Sequence, residues 1–283
     1  MIELPEALVI SRQITKEFKG KRIKACVRGN SPHKFAFYNR EPEEYASILA
    51  GKTMGKATCN GPLILSPAEP DYVLVMGGGG ERILLHRDES TLPRKYQLLL
   101  GFTDGTYLTV SVQGWGSALL LHESEVASHP YINLDKPSPV DDVFTPGYFE
   151  GLFREVPEGD PRSIKFFMIS KPGVLGIGNG CLQDILFRAK LHPRRRVAEI
   201  TEDERRALYR ATRTILREMV RLGGRDSERD LYDRPGGYKR ILHSKVVGQP
   251  CPECGTPIEK ISFLGGASYF CPSCQVLPPG GVP

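Results

Sequence analysis

Four cysteines near the C-terminus, in CPECGTPIEKISFLGGASYFCPSCQ, constrain this chain more than any other feature. Cys251 and Cys254 form one C-x-x-C pair, Cys271 and Cys274 form another, and 16 residues separate the pairs. Each pair can present two thiolates to one metal from a tight turn. The stretch between them has the length of a β-hairpin. Four soft, anionic sulfurs in a tetrahedron suit zinc, and four protein ligands leave no open coordination position. One structural zinc is expected. It contributes on the order of 10 kcal/mol to ordering a module with little core of its own. The remaining cysteines, Cys26, Cys59 and Cys181, are scattered. An odd, partly clustered set without a secretion signal argues against a disulfide framework.

The rest of the chain changes character along its length. The 283 residues suffice for a sizeable core and for two domains. Pro5 suits a first helical turn, and Leu8, Ile10, Ile14 and Phe18 form a helical stripe that ends at Gly20. Short apolar or alternating runs follow, such as YVLVM (72–76), YQLLLGF (96–102) and TYLTVSV (106–112), with Gly- and Asp-rich turns between them. That spacing predicts a β-sandwich or barrel. Four prolines and no clear period mark 129–147 as a linker. Helices are then predicted from FTPGYFEGLFRE, over 163–171, over 180–190, and after a capping box of Thr201 and Glu204. The expected domains are 1–128, a linker over 129–147, a helical domain over 148–245, and a zinc finger with a short tail over 246–283. The fold class is α+β multidomain.

Charge and hydropathy narrow the function. From Arg188 to Lys245 there are 17 Lys/Arg against 9 Asp/Glu, a local balance of +8 in a chain of net charge +5. A basic half suggests a polyanion partner; the alternative is a solubilising surface. Arg206, Arg210, Arg213, Arg217 and Arg221 share one helix face, either solvated or turned to nucleic acid. No apolar run reaches the roughly 20 residues of a membrane span. Glu3, Pro5 and Glu6 interrupt the place of a signal-peptide core. A cytoplasmic, nucleoid-associated protein with no membrane partner is expected.

ELPE in the first six residues, GIGNGCLQDILFRAKLHP (176–193), PGGYKRIL (235–242) and the four-cysteine finger occur together and in order. With them the chain resembles the formamidopyrimidine-DNA glycosylase / endonuclease VIII family of base-excision repair enzymes, over essentially its whole length. The resemblance implies an N-terminal helix with a two-sheet β-sandwich, a helix–two-turn–helix domain and a C-terminal zinc hairpin. It implies damaged or distorted double-stranded DNA as partner, bound between the domains by a monomer, with a nucleotide extruded from the duplex. Asn179 matches the family's phosphate-contacting turn Asn, and Lys171 lies one residue from another contact position. Glu3 matches the catalytic Glu and Glu6 the second acid. As a helix start, Glu3 is also a plain N-terminal acid favouring the dipole.

The chain departs from the family at several positions. Family chemistry uses an N-terminal proline as nucleophile; here that position is Ile2, and a retained Met1 would carry the free amine. The strand Lys position is Pro62, and the finger Arg position is Gly266. The void-filling region offers Gln113, Gly114 and Trp115, and Trp115 is either a stacking wedge or a sandwich core residue. The expected function is therefore damaged-DNA binding of the repair type with the proline-imine lyase step altered or lost. One alternative is a catalytically inactive damage-binding protein. Another is glycosylase chemistry by the Met1 amine or by a water held by Glu3.

Overall fold

The computed structural model describes residues 1–282. Its contacts divide the chain into two units, Met1–Asp135 with Met219–Tyr238, and Lys136–Glu218 with Lys239–Pro283. The division differs from the boundaries expected above. Residues 219–238 cluster with the N-terminal part, and the cysteine-bearing segment shares a unit with the helices.

The first unit opens with helix α1 (Leu4–Phe18). Pro5 occupies its first turn, and Glu3 and Glu6 form a reciprocal capping box around it. Ile10, Ile14 and Phe18, at helical spacing, are buried. Gly20, with φ +82°, turns the chain away. A four-stranded antiparallel sheet runs in the order Ile23–Arg28, Leu98–Phe102, Tyr107–Val112, Glu81–His86. The other sheet runs Ala36–Phe37, Gly116–His122, Tyr72–Gly77, Leu63–Glu69, Thr53–Met54, with Thr58–Asn60 also paired to Leu63–Glu69. Leu74, Met76 and Leu120 from one sheet meet Leu98, Leu100, Leu108 and Val110 from the other in one core, and Ile2, Ala7 and Ile10 join it. Helix α2 (Pro42–Leu49) adds Tyr45 and Leu49, and α3 (Glu123–Val126) follows the last strand. Pro62 lies in the turn just before Leu63–Glu69.

The returning segment is tied to α1 by side chains. Gln13 donates to Asp230 at 2.8 Å and accepts from the Leu231 N–H at 2.9 Å. The Tyr232 hydroxyl donates to Glu17 at 2.8 Å, and Leu231 is buried in the sandwich core.

The second unit holds α4 (Pro146–Arg154), α5 (Ile164–Ile169), α6 (Asn179–Arg188) and most of α7 (Glu202–Arg221). Thr145 and Ser163 cap α4 and α5 through their hydroxyls, and the Thr201–Glu204 box forms as expected. Part of the arginine face of α7 is occupied. Arg213 donates to the carbonyls of Asp141 and Phe144 and, with Arg217, to Asp142. These arginines hold the proline-rich segment ahead of α4. Arg206 pairs with Glu202 and Asp203. The hairpin Glu259–Phe263 and Gly266–Phe270 completes the unit. Among the described residues, no helix is long and apolar enough to cross a membrane.

Candidate functional site

In the first unit the chain is buried over residues 2–7, while Met1 is exposed. Ile2 is 3% exposed and joins the sandwich core. Its backbone N–H donates to the Gly79 carbonyl at 2.8 Å. Glu3 and Glu6 are 4% and 3% exposed. Two carboxylates at this depth need partners, because burying an unpaired charge is prohibitive. Arg225, 2% exposed, supplies them. Its Nη1 donates to Glu3 Oε1 at 3.0 Å, its Nε and backbone N–H to Glu6 Oε1 at 3.0 Å each, and its Nη2 to Glu6 Oε2 at 2.7 Å. Nη2 also donates to the Met1 carbonyl at 2.7 Å. The Met1 amine points elsewhere and pairs with Glu228 at 2.9 Å.

Around this cluster lies a run of bare backbone. Gly79 and Gly80 sit where a Cβ would stand 2.3 Å from the Trp115 carbonyl oxygen and 1.9 Å from that of Gln113. Only glycine permits that approach, so this glycine run serves packing. Glu81 closes the run: its Oε2 accepts the Gly79 N–H at 2.9 Å and its Oε1 the Ser117 N–H at 2.8 Å. Burial raises its carboxyl above the usual carboxylate range, while those N–H donors and the charge of the N-terminal amine act in the opposite sense. Trp115 is 45% exposed and therefore outside the sandwich core, with its ring edge against Gly79. Met1, Glu3, Glu6 and Trp115 thus share one neighbourhood, linked through Ile2 and Gly79.

Asn179 and Lys171 belong to the second unit. Asn179 is the first residue of α6, after Gly178 at the N-cap. Its Oδ1 is buried without a hydrogen-bond partner, and its Nδ2 lies 2.9 Å from where a Cβ on Gly266 would stand. Glycine at the hairpin tip and the Asn179 amide therefore fit one another. Lys171 is exposed, and its carbonyl accepts from Arg162 at 2.8 Å.

The four cysteine sulfurs lie within 4.8 Å of one another, with Cys251–Cys274 at 3.9 Å and Cys254–Cys271 at 3.4 Å. A tetrahedron of zinc–sulfur bonds of about 2.3 Å has edges of about 3.8 Å, so the cluster fits one zinc. The backbone N–H groups of Glu253 and Cys274 point at Cys251 and Cys271 sulfurs, 3.4 Å each. The hairpin is fastened to the helices by buried polar groups. Lys165 donates to the Phe263 carbonyl at 2.6 Å and to Ser268 at 3.1 Å, and burial lowers its ammonium below the usual range. Gln183 bridges the Ala267 carbonyl and the Tyr269 N–H, at 3.0 Å each. Asp184 accepts the N–H groups of Ile241 and Leu242 at 2.9 Å each.

Sequence reasoning missed Arg225, Glu81 and Lys165. No local spacing joins residue 225 to residues 3 and 6. The available signal was chemical: two acids in an otherwise apolar helix start require a buried cation from somewhere.

Comparison with known proteins agrees with this architecture. Residues 137–230 match the formamidopyrimidine-DNA glycosylase H2TH domain, and residues 248–276 match the zinc finger found in FPG and IleRS. The chain is 30% identical to the formamidopyrimidine-DNA glycosylase of Bacillus licheniformis, over 97% of this chain and 99% of that protein. It is 28% identical to that of Thermus thermophilus, over 97% and 98%. The crystal structure of the Thermus thermophilus Fpg protein superposes with a TM-score of 0.81 at 27% identity, covering 98% of this chain and 100% of that one. Lactococcus lactis Fpg in complex with DNA containing an abasic site gives a TM-score of 0.82 at 24% identity, covering 96% and 99%, a likeness of fold.

Proposed function

Because the chain belongs to the formamidopyrimidine-DNA glycosylase family, we propose that it binds damaged duplex DNA as a monomer at the nucleoid. We propose further that it removes a damaged base without the imine step of its relatives. One observation carries the second part. Residue 2, where the resemblance places the nucleophilic proline, is an isoleucine whose side chain is buried in the sandwich core and whose N–H donates to the Gly79 carbonyl at 2.8 Å. A nitrogen held in that hydrogen bond, on a side chain locked in the core, is not presented to a sugar carbon as a free secondary amine. The Met1 amine is engaged with Glu228 at 2.9 Å. We infer hydrolysis: Glu3 accepts a proton from a water that attacks the sugar C1′, the C1′–N glycosidic bond breaks, and the departing base takes up a proton from solvent. Extrusion of the base suits the half-exposed Trp115, whose ring can stack in the space the base leaves. Asn179, at the N-terminus of α6, suits a phosphate, and Lys171 adds an exposed cation.

The test is product analysis on duplexes carrying ring-opened purines, oxidised pyrimidines or abasic sites, with and without borohydride. The expected product is an intact abasic site and no trapped adduct, with excision abolished in Glu3→Gln. A borohydride-trapped protein–DNA adduct, or strand cleavage keeping pace with excision, overturns the reading. A second reading is favoured by the depth at which Arg225 holds both acids: a damage-binding protein without catalysis. Tight binding with no excision over the whole panel would select it.

A further inference from the structure

The carboxylate of Glu6 has about four lone-pair sites, and all four are taken. Oε1 accepts the Arg225 backbone N–H and Nε, both at 3.0 Å. Oε2 accepts the Arg225 Nη2 at 2.7 Å and the Glu3 backbone N–H at 3.1 Å. A group so saturated has no oxygen to offer a substrate, a water or a proton in transit. Arg225 in turn reaches Glu3 Oε1 and the Met1 carbonyl with its other donors. One guanidinium therefore touches residues 1, 3 and 6, fixing the path of the chain across the position where the family keeps its chemistry. The fork geometry matters, because Nε and Nη2 grip the two oxygens of Glu6 side by side and so aim Nη1 at Glu3.

We propose that Arg225 is a positioning residue that divides the labour of the two acids. Glu6 is its anchor and takes no part in proton transfer, and Glu3 is the carboxylate that Arg225 aims at the reacting sugar. This rests on the reading above that Glu3 serves base excision. Two other ionisable groups near the cluster are engaged elsewhere: the Met1 amine with Glu228, and Glu81 with the N–H groups of Gly79 and Ser117. The segment that carries Arg225 follows α7 and lies far from residues 1–6 in sequence, so the site is completed only when residues 219–238 have packed onto the first unit.

Arg225→Met, Arg225→Lys and the double variant Arg225→Met/Glu6→Gln test this, each in the full zinc-loaded chain. The double variant removes the cation together with its anchor. It covers the case in which Arg225→Met alone fails to fold around two unpaired buried acids. Single-turnover excision and affinity for a duplex with a non-cleavable abasic analogue are measured side by side. The expected result is a loss of at least about tenfold in excision rate for Arg225→Met or the double variant, with duplex affinity within about threefold of wild type, the signature of an interaction used only at the chemical step. Arg225→Lys recovers part of the rate, because a lysine keeps the charge but not the fork. Excision at the wild-type rate in the double variant overturns the proposal while leaving the glycosylase reading intact. So does a loss of rate matched by an equal loss of affinity. A wild-type protein that excises nothing overturns the glycosylase reading, and this proposal with it.

Discussion

Ile2 is the residue whose chemistry and packing are least separable. A proline at this position would lack the N–H that Ile2 gives to the Gly79 carbonyl and would fill less of the core that Ile2 occupies beside Ala7 and Ile10. In a Met1-retaining protein, Ile2→Pro is expected to destabilise the fold by about 2–4 kcal/mol, from the lost apolar volume and an unpartnered buried carbonyl. Urea unfolding of the variant measures this. A midpoint within error of wild type would show that residue 2 is not held as described. The same logic explains why Glu3 and Glu6 cannot be judged by position alone. Both match family acids in sequence, yet Glu6 has every oxygen site filled by hydrogen bonds that hold the chain start and Arg225 in place.

Among the elements, the zinc hairpin shows how a small module is held without a core of its own. Its sulfurs supply the metal cage, and Lys165, Gln183 and Asp184 supply the attachment. Lys165→Met keeps the volume but leaves the Phe263 carbonyl without its 2.6 Å donor. A cost of about 1–3 kcal/mol is expected. It should be visible as faster hydrogen exchange across Glu259–Phe270 and faster zinc loss to a chelator, with exchange in the sandwich unchanged. His192 reports on the same attachment. It packs edge-on against Phe270 at 4.4 Å and accepts the Arg194 N–H at 3.1 Å. Burial, with the neighbouring Arg194 charge, lowers its pKa from 6.5 to about 4. The folded state therefore resists a proton that the unfolded chain takes up below about 6.5. Stability contributed by neutral His192 is full above that pH and is lost as pH falls toward 4. Thermal unfolding from about pH 7.5 to about 4.5, spanning the ordinary histidine range, should show this decline, and His192→Gln should flatten it. An unchanged slope in the variant would assign the decline to other groups.

For the whole molecule, the proposed DNA binding has to be met without cations at two positions where the resemblance places them. Pro62 and Gly266 stand where the resemblance places a strand Lys and a finger Arg. Arg213 and Arg217 are committed to the segment around Asp142 rather than free for phosphate. Two missing phosphate contacts should make the slope of log affinity against log salt shallower by about 1.8 than that of the Thermus thermophilus relative on the same duplex. Anisotropy titrations between about 50 and about 200 mM salt, the range where such slopes are read, decide it. An equal slope would mean that other cations replace the lost pair. Restoring the finger Arg by Gly266→Arg alone meets the Asn179 amide at 2.9 Å, so that substitution must displace the very side chain that suits a phosphate.

What could be known from the sequence was whatever depends on neighbours along the chain. The cysteine pairs, the Thr201–Glu204 box, the prolines at helix starts and the alternating strands all act within a few residues, and each formed where its spacing placed it. The family resemblance was legible for the same reason, being carried by contiguous motifs. What only the tertiary structure decided are the contacts across long sequence separations. Arg225 meets Glu3 and Glu6, Lys165 meets Phe263, the glycine run meets Trp115, and residues 219–238 return to the first unit. A buried charge must find a partner, but its partner is set by which surfaces the fold brings together, and no local pattern encodes that choice.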